Sequence, residues 1–293
     1  MTNVLITGAY GQLGSELKKL APQYTQFTYF FTDVDTLDIC NKQAILQFCI
    51  DNSIHFILNC AAYTAVDKAE EEEQHSLCYA INAEAVKNLG EVASQIGANI
   101  IHISTDYVFD GKAYLPYTED ITTNPQSLYG KSKLLGEQWL MKSCAHALII
   151  RTSWLYSTFG NNFVKTMIKL GTERTELKVI FDQIGTPTYA ADLANTMLTI
   201  VAKSTEKATN YVPGIYHFSN EGVCSWYDFT IAIHALYGIS TCNVLPIESK
   251  EYPTKAPRPH YSVLNKQKIK STFDITIPHW QTSLANCIGK LKT

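Results

Sequence analysis

Tyr129 and Lys133 stand four residues apart in Tyr129-Gly130-Lys131-Ser132-Lys133, a spacing that puts two side chains on one face of a helix. A free phenol titrates at about pH 10, too high to trade protons readily at neutrality. An ammonium beside it stabilises the phenolate and is expected to lower that value, which makes the phenol an acid–base group. Of the 17 tyrosines, this is the one followed by lysine at the fourth position. Upstream, a strand-like run ends in Ser104-Thr105-Asp106. The Thr105 hydroxyl there can hydrogen-bond a substrate carbonyl and orient it for attack by hydride.

A hydride needs a carrier, and the N-terminus has the form of its binding site. Gly8-Ala9-Tyr10-Gly11-Gln12-Leu13-Gly14 follows the apolar run Val4–Thr7 and opens a helical pattern. Glycines in that context permit a tight turn and a close approach of backbone to a dinucleotide pyrophosphate, which then sits on the helix N-terminus. Gly8, Tyr10, Gly11, Gln12, Leu13 and Gly14 are therefore the candidate pyrophosphate contacts. Asp33 closes the second strand, where a carboxylate accepts from the adenosine ribose hydroxyls and repels a 2′-phosphate. That electrostatic argument favours NADH over NADPH. Asp38 and Ile39 lie where a loop can reach the adenine ring. Asn59-Cys60-Ala61-Ala62-Tyr63-Thr64 ends the third strand in small residues, so Ala61, Ala62 and Tyr63 are expected along the path of the cofactor. Lys133 is expected to hold the nicotinamide ribose as well as tune Tyr129, and Asn82 to brace the active-site backbone. A capping role for Asp33 and a packing role for residues 59–64 stay open at this level.

The elements that must position these groups are legible as an alternation. Strand-like runs at Val4–Thr7, Thr28–Thr32, His55–Asn59, Asn99–Ser104 and Ala147–Thr152 are separated by helical patterns at Gln12–Leu20, Asn41–Asn52, Gln74–Ile96 and Tyr129–Lys142. This rhythm predicts an α/β fold with a doubly wound parallel sheet, Rossmann-like, whose ligands bind at the carboxyl ends of the strands. Beyond Arg151 the rhythm loosens. Helices are expected at Asn161–Leu170, Ala191–Val201 and Ser225–Tyr237, strands at Leu177–Ile180 and Gly214–Phe218, and a polar surface loop at Ser204–Asn210. Glu248–Pro259 also contains Pro253 and Pro257 and cannot be regular helix. We expect a dinucleotide-binding domain over 1–155, with 189–217 returning to it. A smaller C-terminal substrate lobe would be built from 156–188 and 218–293.

Bulk properties narrow the class. The formal net charge is −3 with three arginines, Arg151, Arg174 and Arg258, which gives no basic field for nucleic acid and makes each arginine a candidate anion clamp. No apolar stretch approaches the roughly 18 residues of a membrane span, and no charged leader precedes the first strand. The eight cysteines show no Cys-x-x-Cys pair and no zinc-ligand spacing. A cytoplasmic protein with reduced thiols is the expectation.

Longer strings carry a resemblance. Ile103-Ser104-Thr105-Asp106-Tyr107-Val108-Phe109-Asp110-Gly111, the Tyr129–Lys133 string, and Arg151-Thr152-Ser153-Trp154-Leu155-Tyr156 are similar to those of the dTDP-4-dehydrorhamnose reductase family. Gly160-Asn161-Asn162-Phe163-Val164, Asp182-Gln183-Ile184-Gly185-Thr186-Pro187-Thr188, Gly214-Ile215-Tyr216-His217-Phe218 and Arg258-Pro259 with Ser262 extend the likeness over the whole chain. The G-x-x-G-x-x-G spacing fits the same group, the extended short-chain dehydrogenases. The resemblance implies NAD(P)H-dependent reduction of the 4-keto group of dTDP-4-dehydro-β-L-rhamnose. In it Tyr129 is the general acid, Lys133 its tuner and Thr105 the carbonyl-orienting hydroxyl. Asp106 and Trp154 would contact the sugar, and Asn162 and Arg258 the nucleotide diphosphate. It implies a dTDP-sugar as partner and a monomer or homodimer.

Some members of that family dimerise through Mg²⁺ held by carboxylates. Glu16 fills one such position, but Tyr189-Ala190-Ala191-Asp192 has no glutamate for a second, and one carboxylate does not make a magnesium site; no metal is expected. Asn265 stands where the family often has aspartate. Another nucleotide-sugar oxidoreductase is the competing enzyme reading. A 4,6-dehydratase would need an acid–base carboxylate pair after the threonine, where Thr105-Asp106 is followed by Tyr107, and an epimerase-reductase a Cys and a His, but no cysteine lies near Ser104–Asp110. The competing non-catalytic reading is a regulatory subunit like that of methionine adenosyltransferase.

Overall fold

A computed structural model describes residues 1–292 of the chain. In chain order its elements are β1 (Thr2–Thr7), α1 (Gln12–Leu20), β2 (Phe27–Thr32), α2 (Lys42–Asp51), β3 (Phe56–Asn59), α3 (Glu72–Tyr79), α4 (Ala85–Ile96), β4 (Asn99–Thr105), α5 (Leu128–Ser143) and β5 (Ala147–Thr152). There follow β6 (Leu155–Tyr156), α6 (Phe163–Glu173), β7 (Glu176–Ile180), β8 (Ile184–Gly185), β9 (Thr188–Tyr189), α7 (Ala190–Glu206) and β10 (Gly214–His217). The chain ends with β11 (Cys224–Ser225), α8 (Trp226–Tyr237), β12 (Asn243–Ile247), α9 (Gln267–Phe273) and α10 (Trp280–Leu291).

Apolar strands that are buried on both faces must be covered by helices on both faces, and these are. Six parallel strands form one sheet in the order β2-β1-β3-β4-β5-β10. One face packs Val4, Ile6, Leu58, Ile101 and Ile150 against α1 and α7; the other packs Leu5, Ile57, Ile100 and Ile149 against residues of α2, α4 and α5. The strand order reverses between β1 and β3, so a crevice opens at their carboxyl ends, where such sheets hold ligands. This is the doubly wound α/β architecture expected from the alternation.

After β5 the chain builds a second core around Tyr156, Tyr189, Phe229 and Trp280. Only short sheets support it: β6 with β9, β8 with β11, and β7 with β12. α7 and β10 leave this region and rejoin the six-stranded sheet. Three expectations are corrected here. Ser204–Asn210 lies at the surface but is a loop only beyond Glu206, where α7 ends, and Ser204 is buried with its hydroxyl donating to the Val201 carbonyl at 2.6 Å. The single helix expected over Gln74–Ile96 is two α-helical pieces joined by a π-helical turn at Ala80–Glu84. The turn is accommodated where Gly136 of α5, lacking a side chain, lets the Asn82 carbonyl come close. The C-terminal third also holds α9 and α10, which the sequence pattern did not announce.

Candidate active site

The glycine turn is shaped by contact. Gly8 has φ +65°, and a Cβ on it would lie 2.7 Å from the Ala61 backbone, so only glycine lets β1 and β3 close at this point. A Cβ on Gly14 would strike the Gly8 carbonyl. Gly11 sits at the N-cap of α1 and no side chain caps that helix. Uncapped N–H groups following a glycine cradle suit a pyrophosphate. Leu13 is buried beneath the turn and Tyr10 is exposed above it.

Asp33 follows β2 directly. Its carboxylate accepts from the Tyr10 N–H at 2.9 Å and the Val34 N–H at 2.9 Å, which ties the turn to the second strand. Asp38 accepts from the Cys40 N–H, and Ile39 is buried with Leu37 and Ile45 rather than standing free in the crevice. Ala61 donates to Asn59, and Tyr63 exchanges two hydrogen bonds with the Asn82 amide, so the strand end is fixed by buried amides on both sides.

Thr105 and Asp106 end β4, and α5 starts at Leu128 under a Ser127 cap that accepts from the Gly130 N–H. Its face Tyr129, Lys133, Glu137 is buried along its length. The Thr105 hydroxyl donates to Asp106 Oδ1 at 3.0 Å and also meets the Tyr129 phenol, whose ring packs edge-on against Tyr107. Burial pushes the Tyr129 phenol above its usual value; the Thr105 contact opposes this but does not win. The expectation that Lys133 lowers Tyr129 is therefore corrected. Lys133 Nζ donates to the Ile103 carbonyl at 2.7 Å and lies 3.3 Å from His102 Nε2, and burial lowers its own pKa to about 8.

Burial also raises Asp106 to about 7, although Thr105 stabilises its charged form. Its Oδ2 is buried and unpartnered. A protonated Oδ2 would be a hydrogen-bond donor.

Trp154 adopts φ +47° and stacks on Trp226 at 3.5 Å and 10°. A Cβ at Gly185 would lie 2.6 Å from the Trp154 ring, so the indole is wedged in place and only part of its surface stays exposed. Arg258 pairs with Asp67 at 2.5 Å and donates to the Tyr107 hydroxyl at 3.2 Å. It separates two adjoining cavities, one of about 250 Å³ lined by Phe109, Ser127 and Pro259, the other of about 470 Å³ lined by Gln183, Tyr252 and Thr254.

Asn162 caps α6 and donates to Gln12 Oε1 at 3.0 Å, which places it against the glycine turn; no hydrogen bond joins it to Arg258. The remaining arginines are not clamps. Arg151 is buried in a two-pronged pair with Glu137 at 2.7 Å, and Arg174 is exposed at the end of α6. Removing one partner of such a buried pair costs about 3–5 kcal/mol. Glu16 is buried and accepts from Ser157, and among the described residues no three acidic, His or Cys side chains gather as a metal site.

Sequence reasoning passed over His102, Asn59 and Asp67. A histidine inside the buried run Ile100-Ile101-His102-Ile103 was the available signal, because a buried polar ring must find partners.

Comparison with known proteins adds the rest. The RmlD substrate binding domain family matches residues 1–293. A dTDP-4-dehydrorhamnose reductase of Aggregatibacter actinomycetemcomitans is 41% identical over 293 residues, 98% of each chain. The crystal structure of a dTDP-4-dehydrorhamnose reductase from Clostridium acetobutylicum has 45% identity and a TM-score of 0.92, covering 100% of both chains. That of the Bacillus anthracis dTDP-4-dehydrorhamnose reductase in complex with NADP has 39% identity and a TM-score of 0.91, covering 99% of this chain and 100% of that one.

Proposed function

We propose the function of this chain from one premise: it belongs to the RmlD substrate binding domain family of dTDP-4-dehydrorhamnose reductases. It reduces the 4-keto group of dTDP-4-dehydro-β-L-rhamnose to dTDP-β-L-rhamnose with NADH or NADPH, the last step of dTDP-rhamnose biosynthesis. The observation that carries this reading is the meeting of Thr105, Asp106 and Tyr129 at the carboxyl end of β4, the same edge of the parallel sheet as the glycine turn after β1.

The dihydronicotinamide, when bound, supplies the hydride for the 4-keto carbon. Gly8, Gly11 and Gly14 with the first N–H groups of α1 hold its pyrophosphate, and Asp33 faces the adenosine ribose. Thr105 turns its single hydroxyl proton from Asp106 to the ketone oxygen, and Tyr129 gives that oxygen its proton. The raised pKa keeps the phenol protonated until the substrate arrives, and the Thr105 contact, which opposes the rise, favours release of that proton. Lys133 stands one turn behind on the same helix and holds the nicotinamide ribose. Asp106 binds a sugar hydroxyl, Trp154 forms a flat wall for the ring, and Arg258 neutralises the diphosphate, with the uncharged Asn162 amide nearer the turn. Residues 1–155 with 189–217 serve the dinucleotide, and 156–188 with 218–293 the sugar.

The test is oxidation of NADH and of NADPH with enzymatically generated dTDP-4-dehydro-L-rhamnose, followed at the nicotinamide absorbance with product identification. Formation of dTDP-rhamnose, faster with NADH, is expected. A chain that binds the dinucleotide yet turns over none of this substrate would overturn the assignment.

A further inference from the structure

Behind Lys133 lies a row of buried polar side chains that the reaction above does not use. Thr7 on β1, Asn59 on β3 and His102 on β4 are each at most 1% exposed, and they lead across the sheet to Lys133 on α5. The Thr7 hydroxyl donates to Asn59 Oδ1 at 2.7 Å, and the Ala61 N–H donates to the same oxygen at 3.1 Å. A backbone N–H can only donate, so the Asn59 oxygen must face Ala61, and its NH₂ must face His102 Nδ1 at 2.9 Å. Nδ1 is thus an acceptor and carries no proton. A neutral imidazole then holds its proton on Nε2, and Nε2 is the atom 3.3 Å from Lys133 Nζ. An imidazolium would place a second N–H against the Asn59 NH₂, so the geometry excludes it.

We propose that His102 is a positioning residue of this reductase: Asn59 pins it in the Nε2–H tautomer, so that it turns a donor toward Lys133 and makes the lysine proton labile. A neutral amine satisfies both of its contacts, donating to the Ile103 carbonyl and accepting from His102. An ammonium satisfies only the first and meets a donor head-on at the second. The other groups facing Lys133 are Glu137 on its own helix, which favours the charge but is shared with Arg151 of β5, and the Cys78 thiol of α3. Tyr129 stands one turn away. The lysine pKa of about 8 agrees with this balance.

The inference rests on the proposed reaction only in giving Lys133 a task, and its test has readouts apart from turnover. In the whole chain labelled with ¹⁵N-histidine, long-range proton–nitrogen spectra are expected to show His102 with Nε2 protonated and Nδ1 bare. A proton on Nδ1, or on both nitrogens, overturns the proposal. Asn59→Asp keeps the oxygen for Ala61 and Thr7 but offers His102 Nδ1 an acceptor, which reverses the tautomer and presents a bare Nε2 to the ammonium. The Lys133 titration, followed by NMR of labelled lysine and assigned with Lys133→Arg, should then move up by about one pH unit or more, and the alkaline limb of kcat/KM with it.

His102→Gln, whose carbonyl can accept from Lys133, should shift both in the same direction and serves if Asn59→Asp does not fold. A Lys133 titration unmoved in a variant that folds and binds dinucleotide overturns the proposal. Absence of turnover in the unsubstituted chain would instead overturn the reaction, with the histidine spectrum and the lysine titration still deciding the tautomer.

Discussion

The two ends of the crevice are built from different materials. The proposed dinucleotide end is built mainly of backbone N–H groups, glycine-shaped space and the Asp33 carboxylate from the first 33 residues, closed by the Ala61 backbone after β3. The proposed sugar end is built of polar, titratable and aromatic side chains brought from four separate stretches: Thr105 and Asp106, Tyr129 with Lys133 behind it, Trp154, and Arg258. The first end works by shape, so it should be sensitive to added volume and indifferent to pH. The second works by burying groups that water would otherwise control, so it should respond to charge and pH more than to volume.

Tyr129→Phe tests the second end most severely. It should lower kcat by about 10²–10⁴-fold while dinucleotide affinity, measured by fluorescence titration, stays within about twofold. Undiminished turnover would remove Tyr129 as the acid. Gly14→Val is the counterpart at the first end, driving a side chain into the Gly8 carbonyl. Dinucleotide affinity should fall by at least about tenfold, equally at pH 6 and pH 8, for the anion-binding turn cannot close; a marked pH dependence of the loss would break the contrast.

Trp226→Ala takes the stacked support from Trp154. The KM for the keto-sugar should rise several-fold, roughly the loss of one aromatic pair, with dinucleotide binding unchanged. A fall in Tm with no change in KM would make Trp154 a packing residue.

The smallest effect sharpens the pH argument. Asp106 is raised to about 7 in the folded chain, against about 3.9 unfolded. Its contribution to stability is then fully present below about pH 4 and is lost as pH rises through 7, where a charge must be buried. Asp106→Asn should therefore raise Tm by a few degrees at pH 8 and not at pH 4, as thermal melts at the two values would show. Equal gains at both would mean that the carboxylate does not titrate in this window.

Legibility in the sequence divides along the same line. The five strands of the alternation and α1 stand within about a residue or two of where the apolar runs put them, because each lies inside the main core and carries its own pattern. The two-residue strands β6, β8, β9 and β11 are too short to show a period. β12 contains Pro246, which reads as a loop but is tolerated since β12 pairs with β7 alone. Tyr129 and Lys133 fall on one buried helix face as their spacing demands. Spacing does not report burial, however. It gave no sign that desolvation would outweigh the Thr105 hydrogen bond at Tyr129, that Glu137 would claim Arg151, or that His102 would sit behind the lysine.

The π-helical turn at Ala80–Glu84 has a consequence for how this chain tolerates change in length. A π turn holds one residue more than the α-helix needs, a single-residue insertion absorbed without breaking the rod. Its two flanks, Glu72–Tyr79 and Ala85–Ile96, are therefore out of phase by about 100° relative to an uninterrupted helix. Deleting any one residue between 80 and 84 would restore ordinary winding and leave helix content almost unchanged. It would also turn Cys78 away from Ser132 and remove Asn82 from the Tyr63 backbone. A shortening by one codon, invisible to a helix count, would dismantle the buried amide contacts that hold the backbone after β3.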